Sequence, residues 1–400
     1  MHTLITFLGK GRDNAQTGYR STRYRFDDGA ESHSPFFGLS LAERLQPERL
    51  VILGTAGSMW GVLVEHLATE GDDEDRRLRL LDAEARQSVD SALLEEVAPM
   101  LARALGREVV PRLISYARDT SEQASVLQAI ADAVSKDRIS IDLTHGFRHL
   151  GMLGLLSAIM LERVGKHRIE GLWYGALEMT QGGVTPVLRL DGLLAIQRWI
   201  DALDRFDANG DYSVFAPLLE ADGCAADKAH CLASAAFHES TLNLSDARTQ
   251  LRTFLPALDA PLSGASGLFQ DKLRKQLEWA LAGELDAHQQ KLALRALQRR
   301  DYLRAAVLGI EAMITRLCFT EGSDPLDYRA RDAADKAFGA QLRDGEHTDW
   351  KRDAYWTLKN LRNAMAHGIP PNIRAHAQLL RNPERLHQRL NACLNQLNNT

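Results

Sequence analysis

Cysteine is scarce in this chain, with four among 400 residues. Cys224, Cys231, Cys318 and Cys393 show neither Cys-x2-Cys spacing nor the clustering of a disulfide framework, so reduced thiols in a cytoplasmic protein are expected. No structural metal and no bound cofactor are expected either. Long apolar runs are missing too. Leu4 to Leu8 is too short for the core of a signal peptide, and Gly151 to Leu161 is too short to span a bilayer, so no membrane partner is anticipated. Excess basic charge is absent: the formal net charge is -5, which excludes a generally basic nucleic-acid coat and confines any such contact to a local patch or composite groove. The Gly-Lys-Ser/Thr ending of a P-loop, a helix-turn-helix with a basic recognition helix, and internal repeats are likewise lacking.

What is present is a hydrophobic fraction of 45 %, that of a soluble globular protein, over a length that exceeds one ordinary core. Two domains are therefore expected, residues 1–190 and 191–400. Thr3 to Leu8 reads as a buried strand ending at Gly9, and Gly9-Lys10-Gly11 as a tight turn. Tyr19 to Phe26 alternates aromatic and polar residues up to Asp28-Gly29, the pattern of a hairpin strand. Phe36 to Leu45 is helical in pattern and Arg49 to Leu53 is a second core strand. The glycine-rich turn Gly54-Thr55-Ala56-Gly57-Ser58-Met59-Trp60 follows, and a strand-to-helix turn of this kind offers backbone N–H groups to an anion. Residues 70–90 are charged, acidic on balance, and read as a solvated loop or helix surface.

Glu108 to Ser115 is a further strand, and Asp119 to Gln123 opens a helix in which Thr120 and Gln123 have capping-box spacing. Arg138 to Thr144 then leads into Asp142-Leu-Thr144-His145-Gly146-Phe147-Arg148-His149 and an almost wholly apolar helix to about Val164. A helix apolar all round is buried, so its start is expected at the carboxyl end of a central parallel strand, where doubly wound sheets take ligands. His145, Arg148 and His149 beside the backbone donor of Gly146 suit a reader of phosphates and base edges. Capping and internal hydrogen bonding are the plainer alternative. His167 to Glu178 and Val184 to Leu190 read as a closing hairpin. The first half is thus an α/β doubly wound domain, and beyond Asp191 every segment reads helical, including one long stretch over 265–300.

One stretch of the helical half carries chemistry. In Trp356 to Gly368, Leu358, Leu361 and Met365 continue an apolar face begun by Ala354, and Arg362 borders it as a half-buried charge in need of a partner. Asn363 and His367 are one turn apart, so the amide is placed to orient the imidazole. Gly368 ends the helix and Pro370-Pro371 forbids its continuation. Glu311, on the apolar helix Tyr302 to Phe319, reads as a surface residue or as a partner for Arg362. The bare Arg-x4-His spacing proves nothing; Arg381 to His387 fits a looser form of it, with Pro383 interrupting.

Arg362-Asn363-x-x-x-His367 resembles the signature of HEPN ribonucleases. Together with Phe7-Leu8-Gly9-x-Gly11, Gly54-Thr55-x-Gly57-Ser58-Met59-Trp60 and Asp142-x-Thr144-His145-Gly146, it is similar to the motif set of the CRISPR-associated Asp-x-Thr-His-Gly family. Members of that family, type III accessory effectors, join a Rossmann-like CARF sensor to a C-terminal HEPN domain. The resemblance implies a homodimer, or a higher oligomer of dimers, activated by a cyclic oligoadenylate, with the tetra-adenylate the family's preference. It implies ligand contacts from Gly9, Lys10, Gly11, Thr55, Gly57, Ser58, Met59, Thr144, His145, Gly146 and Arg148. It further implies metal-independent cleavage of single-stranded RNA by Arg362, Asn363 and His367. Two other readings stay open: a signal-binding regulator whose helical motif is incidental, and a sensor that degrades its own ligand.

Overall fold

The computed structural model describes residues 1–10, 21–68, 74–134, 138–346 and 350–397. Gly11 and Tyr19, both named above, lie outside them. The chain divides into two compact units, Met1–Leu194 and Ala195–Thr400. Each is considered by itself.

The first unit runs β1 (His2–Phe7), β2 (Thr22–Arg25), β3 (Glu31–Ser34), α1 (Phe37–Leu45), β4 (Arg49–Gly54), α2 (Trp60–Leu67), α3 (Glu74–Ala85) and α4 (Ser91–Leu105). It continues with β5 (Glu108–Leu113), α5 (Thr120–Asp132), β6 (Arg138–Asp142), α6 (Arg148–Arg163), β7 (Arg168–Gly175) and β8 (Val184–Arg189). The strands form one sheet in the order β3-β2-β8-β7-β6-β1-β4-β5. From β7 to β5 every pairing is parallel, whereas β8 returns antiparallel to β7 as the hairpin pattern requires. All six residues of β1 are buried, because a parallel strand is covered on both faces. Leu4, Leu50 and Ile52 pack with Phe37 and Trp60 in one core, and Ile5, Val51 and Leu53 pack with Ile139, Ile141 and Leu150 in the other, the two-residue alternation of the pleat. After β1 the chain forms β2 and β3 at the far edge of the sheet, α1 then leads to β4 on one side of β1, and the connection leaving β5 returns to β6 on the other. The crevice between the carboxyl ends of β1 and β6 is therefore the switch point of the sheet.

Three details differ from the sequence reading. Residues 74–85 form a helix, one of the two forms read for this stretch, but Leu80 is fully buried where a solvated surface was expected. Asp119, not Thr120, caps α5: its carboxylate accepts the Glu122 N–H at 2.9 Å, the better cap because its oxygen is an anion beside free helix donors. Helix α6 is not buried all round, for Met152 is 70 % and Leu156 is 51 % exposed. These two, at i and i+4, form an apolar stripe that the unit itself leaves uncovered.

The second unit is helical: α7 (Asp191–Asn209), whose first turn contains the division between the units, α8 (Ala216–Ala221), α9 (Ala226–Ser240), α10 (Leu244–Phe254), α11 (Ser266–Leu277) and α12 (Leu285–Gln298). Then come α13 (Tyr302–Glu321), α14 (Tyr328–Asp344), α15 (Trp350–His367), α16 (Arg374–Leu379) and α17 (Pro383–Gln396). The single helix expected over 265–300 is two, broken where Gly283 takes φ of +105°. Helix α13 packs against both α12 and α15 in the middle of the unit.

Candidate ligand crevice and candidate active site

At the switch point, the turns leaving β1, β4 and β6 are tied to one another. The Ser58 hydroxyl accepts the Thr55 N–H at 2.9 Å and donates to the Leu8 carbonyl at 2.9 Å, and the Met59 N–H donates to the Gly9 carbonyl at 3.0 Å. The Trp60 indole N–H donates to the Thr55 carbonyl at 2.9 Å. A Cβ at Gly9 would stand 3.2 Å from the Gly146 nitrogen, so a side chain there would press the first turn a few tenths of an ångström away from the third.

The carboxyl of Asp142 is wholly buried, accepting from the Thr6 hydroxyl at 2.6 Å and the Thr144 N–H at 2.8 Å. Burial pushes it up to about 6 despite those bonds. Thr144 in turn accepts the Gly175 N–H at 2.7 Å. His145 is buried as well, and its Nε2 accepts the Phe37 N–H at 3.1 Å, at the open start of α1. An Nε2 that accepts leaves the ring proton on Nδ1. Burial holds the imidazole down to about 4, so it is neutral at pH 7.

His145 therefore does not stand ready for base edges, as the spacing suggested; it caps a helix. Thr55, Gly57, Ser58 and Met59 are buried within their own turn. Lys10, Gly146, Arg148 and His149 are the motif residues that remain exposed. Among the described residues Arg148 makes no hydrogen bond, and its charge is felt by Tyr174 and Glu178.

Beside them is a wall absent from the sequence reading. The Phe147 ring lies 6.0 Å from that of Tyr116 and stacks at 5.7 Å on His149, whose Nε2–H donates to the Tyr116 carbonyl at 2.9 Å. Arg118 sits over the Tyr116 ring. Tyr116 comes from the loop after β5, and only the sheet order places that loop here. A rim of cations and aromatic faces suits a ligand with phosphates and bases.

Residues 3–177 match the family described as CRISPR system endoribonuclease Csx1, CARF domain. The first unit is a CARF domain. A curated relative, the CRISPR-associated protein MJ1674 of Methanocaldococcus jannaschii, is 26 % identical over 245 residues, 55 % of this chain but 38 % of that protein's length. Among solved structures, Enterococcus italicus Csm6 bound to cyclic hexa-2'-fluoro-hexa-dAMP aligns with 99 % of this chain and 94 % of its own, at 10 % identity and a TM-score of 0.36. A likeness that low carries no weight for fold or ligand.

Beyond the CARF domain, Arg362, Asn363 and His367 lie at the end of α15. Ala354, Leu358 and Leu361 on its apolar face are fully buried, and Met365 is partly so. Arg362 is half-buried, and its Nε is out of reach of solvent with no hydrogen-bond partner. Asn363 and His367 are exposed, and no hydrogen bond joins them. Helix α15 ends in Gly368 at φ of +66°, with the Ile369 N–H closing onto the Ala364 carbonyl at 3.2 Å.

Glu311 is not the partner of Arg362. It pairs with Arg331, which also donates to the Thr315 hydroxyl and the Pro325 carbonyl at 2.9 Å each. Helix α15 is held from both sides: Lys359 and Tyr355 bond to Asp335 of α14 at 2.7 and 2.6 Å, while Arg389 of α17 pairs with Asp353 and donates to Thr357 at 3.0 Å. A guanidinium without an internal acceptor and an imidazole on the same helix end can together hold an oxyanion and exchange a proton with it. Among the described residues, no three His, Cys, Asp or Glu converge as a metal site, and no helix is long and apolar enough to cross a membrane.

Proposed function

We propose that the protein is a single-stranded RNA endoribonuclease of type III CRISPR defence, switched on when a cyclic oligoadenylate occupies its CARF crevice. The observation that carries this reading is the pairing of a CARF domain with Arg362, Asn363 and His367 uncommitted at the open end of α15. RNA supplies its own nucleophile, the 2'-hydroxyl, so the protein needs a proton-transfer group and a stabiliser of the charge developing on phosphate. His367 moves the proton. Arg362 binds the phosphate, and Asn363 orients it. No metal is required by that chemistry, and the products carry 2',3'-cyclic phosphate.

Each chain has one such set, so two sets at a twofold interface form the working site, in keeping with a homodimer. The uncovered Met152 and Leu156 stripe on α6 supports a second copy, since an apolar stripe of this kind is stabilised by removal from water. In the crevice, Arg148 and the backbone of Gly146 take phosphate, while Phe147 and Tyr116 stack on adenine. A cyclic tetra-adenylate or hexa-adenylate ring matches a twofold axis equally well, and the choice of the tetra-adenylate rests on the family resemblance. The reading is tested by incubating labelled single-stranded RNA with the purified protein in excess EDTA, alone and with cyclic oligoadenylates of each size. Cleavage only with one ring size is expected. Full cleavage without any ring, or no binding of any ring by calorimetry, overturns it.

A further inference from the structure

The last turn of α3 reaches the crevice, although no motif marks it. The Glu84 carboxylate accepts the Gly61 N–H at 2.6 Å, in the first turn of α2. Leu80, one turn earlier on α3, is fully buried. The end of α3 is therefore fastened to the helix that leaves the glycine-rich turn. Helix α3 closes with the Gln87 N–H on the Glu84 carbonyl at 2.9 Å and the Ser88 N–H on the Ala83 carbonyl at 2.8 Å, and Gln87 takes φ of +54°. A left-handed residue after a helix is most often glycine, because a Cβ is disfavoured there. Here the position carries an amide.

That amide lies against two groups of the crevice. A Cβ added at Gly57 would stand 3.1 Å from the Gln87 Cγ and 3.0 Å from the Tyr116 hydroxyl, so the bare glycine lets these two side chains converge on the turn after β4. The Tyr116 hydroxyl donates to the Gln87 Oε1 at 3.5 Å, the outer limit of a hydrogen bond, and so holds it only weakly. Gln87 is exposed, and among the described residues its side chain makes no other hydrogen bond. A donor and an acceptor thus stand uncommitted at the edge of the aromatic wall formed by Tyr116 and Phe147.

Taking as its ground the proposed function, in which Tyr116 stacks on an adenine of the cyclic oligoadenylate, we infer that Gln87 reads that base. Its amide oxygen accepts from adenine N6–H and its amide nitrogen donates to N7, the bidentate match of glutamine to this edge. Stacking accepts any base, since each has a π face, and the cations Lys10 and Arg148 recognise phosphate without regard to sequence. An aromatic wall therefore needs an edge reader to prefer adenine. Guanine and hypoxanthine present two acceptors there, O6 and N7, and leave the amide oxygen facing a lone pair.

The test is calorimetry on the full-length protein with cyclic tetra-adenylate and cyclic hexa-adenylate, the same rings built with 7-deaza-adenine, which lacks the N7 acceptor, and the corresponding cyclic inosinates. The wild type is expected to bind the 7-deaza and inosinate rings about tenfold more weakly than the adenylate ring of the same size, the scale of losing a bidentate base contact. Gln87→Leu and the smaller Gln87→Ala should both weaken binding of the adenylate ring about tenfold and abolish the distinction, leaving the three base types within about threefold of one another. Arg148→Ala should weaken all three by a common factor and keep the preference. Equal binding of the adenylate and 7-deaza rings by the wild type, or a wild-type preference retained in both Gln87 variants, overturns the role of Gln87 and leaves the proposed function standing. A wild type that binds neither oligoadenylate overturns both.

Discussion

The CARF crevice and the end of α15 use their motif residues in opposite ways. In the crevice, Thr55, Ser58, Asp142, Thr144 and His145 hydrogen-bond inward, to these turns, to β7 or to the start of α1, and are largely closed to solvent. At the end of α15, Asn363 and His367 face solvent and Arg362 has an Nε with no hydrogen-bond partner among the described residues. A motif residue bonded inward holds a shape, and one left unpaired holds a ligand. Substitutions should therefore separate cleanly: in the crevice most cost stability, at α15 they cost activity alone.

The largest effect is expected at α15. Arg362→Ala and His367→Ala should each lower ligand-activated RNA cleavage by about 10³-fold, the scale of losing a positioned acid–base or charge-stabilising group. Melting temperature and oligoadenylate binding should stay as in the wild type. Wild-type cleavage by either variant, measured on labelled RNA, removes the role given to that residue.

Next come the two buried titrating groups of the crevice, whose effects oppose each other. The folded His145 is depressed to about 4, so its contribution to stability is full above its unfolded value of 6.5 and is lost as pH falls through 4. The folded Asp142 is raised to about 6, so its contribution is full below 3.8 and is lost as pH rises through 6. Each amounts to at most about 3 kcal/mol. The wild type should be nearly flat in urea stability between pH 4 and 6. His145→Gln, whose amide oxygen can still accept the Phe37 N–H, should gain stability as pH falls across that window, and Asp142→Asn should lose it. Parallel curves for the two variants defeat this account.

Ser58→Ala should follow at about 2 kcal/mol of stability, because it leaves the Thr55 N–H and the Leu8 carbonyl buried without that partner. Urea unfolding checks it. A variant as stable as the wild type means that Ser58 is not the tie between the turns.

The contrast also explains what the sequence disclosed. Strands such as Ile5 to Phe7 and Leu50 to Leu53 were legible because central parallel strands are apolar on both faces, and α15 was legible from its buried stripe. The exposed face of α6 was hidden, since Met152 and Leu156 look the same in sequence whether this chain or another covers them. Direction was hidden as well. The pattern Asp-x-Thr-His-Gly names groups that bind, but whether His145 points out at a ligand or inward at Phe37 depends on where α1 begins, some hundred residues earlier. Tyr116 belongs to no motif, and its place in the crevice follows from strand order alone. Glu311 shows the same gap in the helical unit: its partner Arg331 is on the next helix, at a spacing no local pattern marks.

The smallest effect is expected at the one crevice cation that behaves like an α15 residue. Arg148 is exposed and makes no hydrogen bond among the described residues, and its charge is felt by Tyr174 and Glu178. Its loss removes one charge-assisted contact to a ligand phosphate, about 1.4 kcal/mol, so Arg148→Ala should raise the cyclic oligoadenylate concentration for half-activation about tenfold. Stability should be unchanged, as should the rate at saturating ligand, because Arg148 has no part in cleavage. Gly57→Leu tests the wall beside it. A Cβ there would meet the Tyr116 hydroxyl at 3.0 Å and Gln87 at 3.1 Å, pressing on the aromatic face without removing a cation. It should raise the activating concentration as well, but with some loss of stability because Gly57 is buried. An activation curve for Arg148→Ala that keeps its midpoint and loses its maximum would place this arginine with the α15 group, and the division between a scaffolding crevice with a thin ligand rim and an uncommitted active end would fail at that point.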